Sequence, residues 1–359
     1  MSRIVLFFGW RIRIHGFART RRDAVSQPPL DPRAYAPYDR VEDYILDWTD
    51  LIWAEAAIGA IPRMYRSDVV VRSATGVGVG VEPVVRGSLA KKAAFVDRVG
   101  VGEDVVWEPR GRTAFVSHHR VLHTGGQQGP WSYGPARGRA AVSRNLPVCL
   151  VENGLVSEEW VVRDEWAVAE GLGHDPAAIA AASPADLGSL GEEGLFGRPA
   201  PDDPTRRGDS GERPPSHLAE ATLAVALWRD VIDRRRFDLV PQFYGRDAIL
   251  HTSRNRTITR REGIRADLLA FLAPFPDARV EVRDIAVHAT PDRGTRMSVL
   301  WRLAGTYSGM PLYGAPGGER VEVMGVSQYE LEGGRIRREY RIYDEVAILA
   351  QIEAGRARA

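Results

Sequence analysis

Residues suited to chemistry are gathered at a few places along this 359-residue chain. His118, His119, Arg120 and His123 crowd one mostly apolar stretch. On a strand, His119 and His123 would share one face and His118 and Arg120 the other, a pattern suited to an anionic or polyoxygenated ligand. Metal ligation is the weaker reading, because Glu159 is the one carboxylate that a sheet could bring near and a zinc-type site needs three or four donors. Two aspartates, Asp164 and Asp344, each end an alternating stretch and precede an apolar helical run. A carboxylate placed there caps otherwise free backbone N–H groups, so capping stands beside any chemical role for both. The single cysteine, Cys149, has no disulfide partner and apolar neighbours, and reads as a buried, inert strand residue.

The strand that delivers Asp344 alternates with a period of two. Ile336, Arg338, Tyr340 and Ile342 share one face, and Arg337, Glu339, Arg341 and Tyr343 the other. Neither face is wholly apolar, so this strand is expected outside a dry core, with the Arg335 to Arg341 charge on a solvated face. The same pattern, Asn153 to Asp164, stands 180 positions upstream. Other points keep step: Trp48 and Asp50 with Trp228 and Asp230, Pro62 with Pro241, Tyr65 with Tyr244, Asp68 to Arg72 with Asp247 to His251, and Tyr133-Gly134 with Tyr313-Gly314. A repeat of this length means a duplicated domain.

The elements must be laid out to match. An amphipathic helix is expected from Val41 to Ala60, a short one from Ile61, a strand over Asp68 to Arg72, and a third helix from Gly87 to Val99. Strands follow over Asp104 to Trp107, Arg112 to Leu122, Arg139 to Glu152 and Leu155 to Val162. The class is α+β, helices first and a mostly antiparallel sheet second. Residues 76–81 alternate Gly and Val without the lysine of a phosphate loop, and read as a turn or strand edge. Five segments result: a basic, Pro-rich extension (1–40), copy one (41–175), a flexible linker (176–216), copy two (217–352) and a tail (353–359). With 48 Lys plus Arg against 47 Asp plus Glu, no basic excess marks a nucleic-acid surface. No apolar run is long enough to span a membrane, and a cytoplasmic location is expected.

Both halves resemble the SnoaL-like polyketide cyclases, of the cone-shaped α+β fold that nuclear transport factor also has. The motifs that carry the likeness are Asp247-Ala248-Ile249-Leu250-His251, Gly305-Thr306-Tyr307-Ser308-Gly309 and Glu339-Tyr340-Arg341-Ile342-Tyr343-Asp344. The resemblance implies two tandem cones, each a strongly curved sheet around a deep pocket with helices packed against it. It also implies an acid–base aspartate at Asp344, with Asp164 as its counterpart, performing an aldol-type ring closure without metal or organic cofactor. His251 would lie at the pocket mouth, turned inward near Tyr244 or Trp301, donating to an enolate oxygen. A family histidine is replaced by Tyr307 in copy two and Gln127 in copy one, and tyrosine still donates a hydrogen bond. Relatives that open epoxides use two aspartates bridged by an arginine. Asp344, Arg341 and Asp284 are available for that scheme, but Arg341 and Asp344 are three apart and fall on opposite faces of a regular strand.

Aromatic residues suggest the ligand. Trp301, Tyr307, Tyr313, Tyr340 and Tyr343 in copy two, and Trp107, Trp131, Tyr133, Trp160 and Trp166 in copy one, suit a flat hydrophobic molecule, although core packing uses the same residues. The substrate-binding candidates are therefore Trp301, Tyr313, Tyr340, His119, His123, Trp131 and Trp160. The open sheet face of this fold usually meets another copy, so the tandem chain is expected to form an intrachain pseudo-dimer, with further oligomers left open. Three functions stay in view: a cofactor-independent cyclase, lyase or isomerase on a hydrophobic small molecule, an epoxide hydrolase-like enzyme, and a non-catalytic ligand-binding or scaffold protein.

Overall fold

The computed structural model describes residues 6–7, 10–11, 30–185, 194–196 and 217–358. A two-residue ladder joins β1 (Leu6–Phe7) to β2 (Trp10–Arg11). The rest of the basic extension before residue 30, and most of the expected linker, lie outside the described residues.

The first domain opens with α1 (Val41–Trp53), which buries Val41, Ile45 and Ile52 on one stripe and carries Glu42 and Asp43 in its first turn, where the helix dipole favours acids. It ends before Ala60 because the chain reverses at Ala56, which adopts a positive φ of 59°. Next come α2 (Ile61–Met64), β3 (Tyr65–Ser73) and the edge strand β4 (Gly76–Val79), the Gly-Val repeat of the sequence. The third helix, α3 (Val81–Ala94), starts and ends earlier than its sequence suggested. It is entered from Gly80 at φ 92°, a left-handed geometry open to glycine, and closes with Lys91 and Lys92 at its C-terminal end. Strands β5 (Val99–Pro109), β6 (Ala114–Gly126), β7 (Ala140–Glu152) and β8 (Leu155–Arg163) complete the sheet, and α4 (Glu165–Leu172) and α5 (Pro176–Ala182) follow. The α5 helix falls in the stretch expected as flexible linker. Ile179, Ala180 and Ala185 are held instead in the core of the second domain, because their apolar side chains pack with α9.

The second domain repeats the order: α6 (Leu218–Ala226) running into a π-helical turn over Leu227–Asp233, then α7 (Val240–Phe243), β9 (Tyr244–Thr252), β10 (Arg256–Thr259), α8 (Arg260–Leu272), β11 (Arg279–Thr290), β12 (Gly294–Tyr307), β13 (Glu319–Glu332), β14 (Arg335–Tyr343) and α9 (Glu345–Arg356). The two six-stranded sheets have one topology, β4-β3-β8-β7-β6-β5 and β10-β9-β14-β13-β12-β11. Only β3 with β8 and β9 with β14 are parallel. The duplication reaches the irregularities. Register shifts at Gly102/Asp104 and Leu150/Val151 recur at Val282/Asp284 and Glu330/Leu331, each 180 residues on. Such bulges deepen local twist, which a sheet curved into a cone needs at fixed places.

Each sheet wraps one face around its own core and turns the other to its twin. The shared layer joins Val106, Val116, Leu146, Val148 and Val162 of the first sheet to Ala286, Leu300, Met324, Val326 and Ile342 of the second, with Leu195 and Phe196 from between the domains. His118 and Ser298, which occupy equivalent positions in the two copies, meet at 3.0 Å from Nδ1 to Oγ. The pairing is thus isologous, as in a two-fold dimer. Around it, Asp284 accepts from Arg110 at 2.7 Å and lies 3.1 Å from His118 Nε2, while Asp104 pairs with Arg293 and Arg296. Gln328 accepts from Arg120 at 2.7 Å and donates to the His118 carbonyl at 2.9 Å. No helix among the described residues is long and apolar enough to cross a membrane.

Burial alone would raise the pKa of Asp284, but the Arg110 charge and then the His118 hydrogen bond hold it below the ordinary carboxylate range. A depressed carboxyl pKa stabilises the fold above the unfolded value of about 4, and that contribution is lost as pH falls toward the folded value. Asp284→Ala leaves His118 buried without its acid and Arg110 with Glu108 alone, and is expected to lower stability by about 3–5 kcal/mol at neutral pH in urea denaturation. The difference from the parent should shrink below about pH 4.

Candidate active site

The strand β14 buries charged side chains on the face that the sequence assigned to solvent. Glu339 and Arg341 are 0% and 1% exposed. They turn into the second cone because Ile342, on the opposite face, is taken up by the layer between the sheets, so the interior has to accept the charged set. The Glu339 carboxylate accepts from Tyr244 Oη at 2.7 Å and Ser327 Oγ at 3.2 Å, and lies 3.9 Å from Arg341 Nε. Arg341 Nη2 donates to Asp267 of α8, whose other oxygen takes Arg256 at 3.2 Å. The result is one guanidinium between two buried carboxylates, roofed by Phe271 at 5.6 Å. Burial pushes the Glu339 carboxyl up, against the pull of Arg341. For Arg341 burial acts the other way, yet the Glu339 and Asp267 charges outweigh it and hold the side chain charged.

Donors in this interior that have no hydrogen-bond partner among the described residues include Arg341 Nε and Nη1 and the indole nitrogen of Trp301. Trp301 fills the middle of the cone, 5.2 Å from Trp228 and 5.7 Å from Phe271 between ring centroids. Trp228 stands on the π-helical turn, a geometry that recurs at functional sites. The first cone keeps only part of this set. Glu159 accepts from Tyr65 Oη at 2.8 Å, as Glu339 does from Tyr244, and burial likewise raises its pKa. Where the second copy has Arg341, however, the first has Val161.

The residues singled out from sequence are distributed over both domains and do not converge on one site. Asp344 caps α9, accepting from Val346 N at 2.9 Å and Ala347 N at 3.1 Å. Asp164 caps α4 through Ala167 N at 3.2 Å and also accepts from Arg254 N at 3.0 Å and Asn255 N at 3.2 Å of the other domain. The two aspartates therefore approach one another at the domain junction, where Asp344 also feels the Glu165 charge. Burial, then the Glu165 charge, pushes Asp344 up to about 8, and burial pushes Asp164 up to about 6. His251 does not turn inward. It stacks on Tyr340 at 4.8 Å on the outward face of the sheet, with Nδ1 3.0 Å from Thr257 Oγ1, because the parallel register sets it directly beside Tyr340. Tyr340 is covered on its far side by Arg120 of the first domain, 3.5 Å from the ring centroid.

Tyr307 donates to the Gly314 carbonyl and accepts from Tyr313 N at 2.9 Å, and Tyr313 Oη donates to Glu345 at 2.9 Å. Both hydroxyls are thereby engaged in holding a loop. In the first domain His119 and His123 do face inward together, as their spacing predicted, while His118 and Arg120 face the partner sheet. Burial lowers the His119 pKa to about 3 and that of His123 well below its usual value, so both rings are neutral. Trp131 packs edge-on against Phe95 and Tyr133, and Trp160 lies against the layer between the sheets. Of the named residues, Trp301 and Tyr343 share the cone with the Glu339 cluster, both lying against Phe271, at 5.7 and 4.9 Å between ring centroids. Glu339, Arg341 and Asp267 were missed as a site, although the period of two had placed Glu339 and Arg341 on one face; the missing signal was which face the second domain's partner would cover.

Fold and site define a tandem pair of α+β cones, each preceded by helices, with the second cone holding the acid–arginine–acid cluster. The second domain is SnoaL-like: residues 222–352 match the family model described as SnoaL-like polyketide cyclase. Similar solved structures include a proposed SnoaL-like polyketide cyclase from Jannaschia sp. CCS1, 21% identical, covering 40% of this chain and 96% of that one with a TM-score of 0.36. IdmH from Streptomyces antibioticus, a proposed polyketide cyclase, is 21% identical over 38% of this chain and 99% of its own, with a TM-score of 0.32. TsrD from Streptomyces laurentii is 21% identical over 38% of this chain and 98% of its own, with a TM-score of 0.33. No curated protein matches the chain in sequence.

An acid whose folded pKa is raised contributes stability that is complete below its unfolded value and is lost as pH rises through the folded value. For Asp344 that window runs from about 4, the unfolded value, to about 8. Asp344→Asn retains a capping side chain and removes the titration. Its urea midpoint is expected to equal or exceed that of the parent at pH 8 and to gain less, or nothing, at pH 5.

Proposed function

We propose that the chain is a cofactor-independent acid–base enzyme of the cytoplasm that acts in its second cone on a compact, hydrophobic, oxygen-bearing small molecule. The observation that carries this reading is Arg341, fixed between Glu339 and Asp267, with Nε and Nη1 buried and without a hydrogen-bond partner among the described residues. Buried donors are normally satisfied, and unfilled ones mark a place for a ligand or water oxygen. In an aldol-type closure, the Glu339 carboxylate takes a proton from a carbon acid. The enolate oxygen gathers charge against Arg341, the enolate carbon attacks a carbonyl of the same molecule, and the new alkoxide takes the proton back from Glu339. The raised pKa makes Glu339 a stronger base than an exposed carboxylate, and a fixed guanidinium in a water-poor interior stabilises the developing oxyanion. Tyr244 orients Glu339 and Trp301 supplies an apolar wall. The family match of residues 222–352 supports the same domain as the reacting one.

A second reading, water addition to an epoxide, is favoured by the bridging of two carboxylates by one arginine. There, one acid activates water and the other protonates the departing oxygen. The epoxide scheme read from sequence used Asp344 and Asp284; both are committed elsewhere, to the α9 cap and to Arg110, and Glu339 and Asp267 stand in the corresponding roles.

A panel of linear β-polyketone thioesters and small aliphatic epoxides, assayed in water enriched in oxygen-18, separates the two. Label entering a diol supports hydrolysis, and unlabelled cyclic product supports ring closure. In either case Glu339→Gln, which keeps the Tyr244 contact, is expected to lower kcat by about 10²- to 10⁴-fold, while Asp344→Asn retains activity. Full activity in Glu339→Gln would remove the second cone from the chemistry.

A further inference from the structure

The first cone is built for something else. Strand positions that carry Leu303, Val323 and Gly325 in the second cone carry His123, Ser143 and Asn145 in the first. Together with Lys91, Arg98 and Glu165 they line a cavity of about 30 Å³. A water needs some 10–15 Å³ by this measure, so the space admits a small polar group and no polycyclic molecule. We propose that this cavity is a binding site for a small carboxylate, separate from the chemistry of the second cone and gripped chiefly by Arg98.

The electrostatics and the unfilled donors agree. Arg98 and His123 are 7% and 5% exposed, and Arg98 Nη1 and His123 Nδ1 have no hydrogen-bond partner among the described residues. Arg98 lies over the Trp53 ring at 4.4 Å, and burial, then the Arg163 charge, lowers its pKa to about 10 against the pull of Glu165, so its charge is only partly compensated in a buried place. The acid in the lining, Glu165, is already engaged, with Lys91 at 3.8 Å and the Tyr133 hydroxyl donating to it. Arg163 adds a further buried cation nearby, its field offset by Glu159 and Asp344. Burying an unpaired guanidinium is strongly unfavourable, and a carboxylate matches its paired donors in geometry as well as charge. His123, neutral by burial, donates from Nδ1 in one tautomer, and Ser143 and Asn145 supply further polar contacts. The same positions in the second cone are apolar or without a side chain, which shows that the fold does not require a polar set there.

The test uses the full chain and sodium formate as probe, with sodium chloride at equal ionic strength as control, in titration calorimetry and in crystals. One saturable formate site is expected, with density against Arg98 and His123. Arg98→Met, which keeps the apolar stem on Trp53, should weaken binding by at least about tenfold, the scale of a charged hydrogen bond. Glu165→Gln removes the cavity's own negative charge and should tighten it several-fold; this variant decides the matter if Arg98→Met does not fold. Formate binding that is absent, that is unchanged in folded Arg98→Met, or that weakens in Glu165→Gln overturns the proposal. No substrate of the second cone is involved, so this result and that of the turnover assays fail or succeed separately.

Discussion

The structure depends on covering the open face of each curved sheet. A sheet that wraps a core with one side exposes the other, and here each domain supplies the cover for its twin. The layer of Val, Leu, Ile and Met side chains does most of this, and Val116, Leu146, Val148, Met324 and Val326 are almost wholly buried in it. Polar groups on the same face have to be satisfied across the joint. Asp284 with Arg110 and His118, Asp104 with Arg293 and Arg296, and Gln328 with Arg120 do so. Because the halves are covalently joined, the two sides of this pairing have diverged: a histidine faces a serine on the pseudo-axis, an arrangement that two identical chains could not make.

Once the outer faces are committed, the alternation of each strand decides what enters the cones. In β14, Ile342 goes to the joint and Glu339, Arg341 and Tyr343 go inward. In β6, His118 and Arg120 go to the joint, and His119 and His123 inward. One interior thus holds a charged triad amid Trp228, Trp301 and Phe271, and the other two neutral histidines, of which His123 lines a small cavity with Lys91 and Arg98. Fold and topology were duplicated, whereas the interiors were not. The retained common element is a buried glutamate held by a tyrosine, Glu159 with Tyr65 and Glu339 with Tyr244.

Much of this was legible in the sequence, and the limits are physical. The 180-residue repeat gave the tandem α+β architecture, and the matched pairs Tyr65 with Tyr244 and Arg72 with His251 occupy equivalent registers in the two sheets. The pattern also separated His119 and His123 from His118 and Arg120 correctly. It could not say which face of a mixed strand is inside, since that depends on a long-range contact with the other domain. Hence Glu339 and Arg341 read as a solvated pair, and His251 as an inward residue. The capping role of Asp164 and Asp344 was visible from local chemistry, because an aspartate before an apolar helical run acts within its own turn. Asp267, on α8 and 74 residues before Arg341, gave no local sign of its partner.

The central claim, that the chemistry belongs to the second cone alone, is tested most directly by the two equivalent glutamates. Glu159→Gln and Glu339→Gln make the same change in the same kind of tyrosine-held site, and each should be compared with the parent for turnover of whichever panel substrate is consumed, with folding checked by urea midpoint. The account requires loss of turnover in Glu339→Gln and parental turnover in Glu159→Gln. Loss in Glu159→Gln with Glu339→Gln unaffected would contradict it and move the reaction to the first cone.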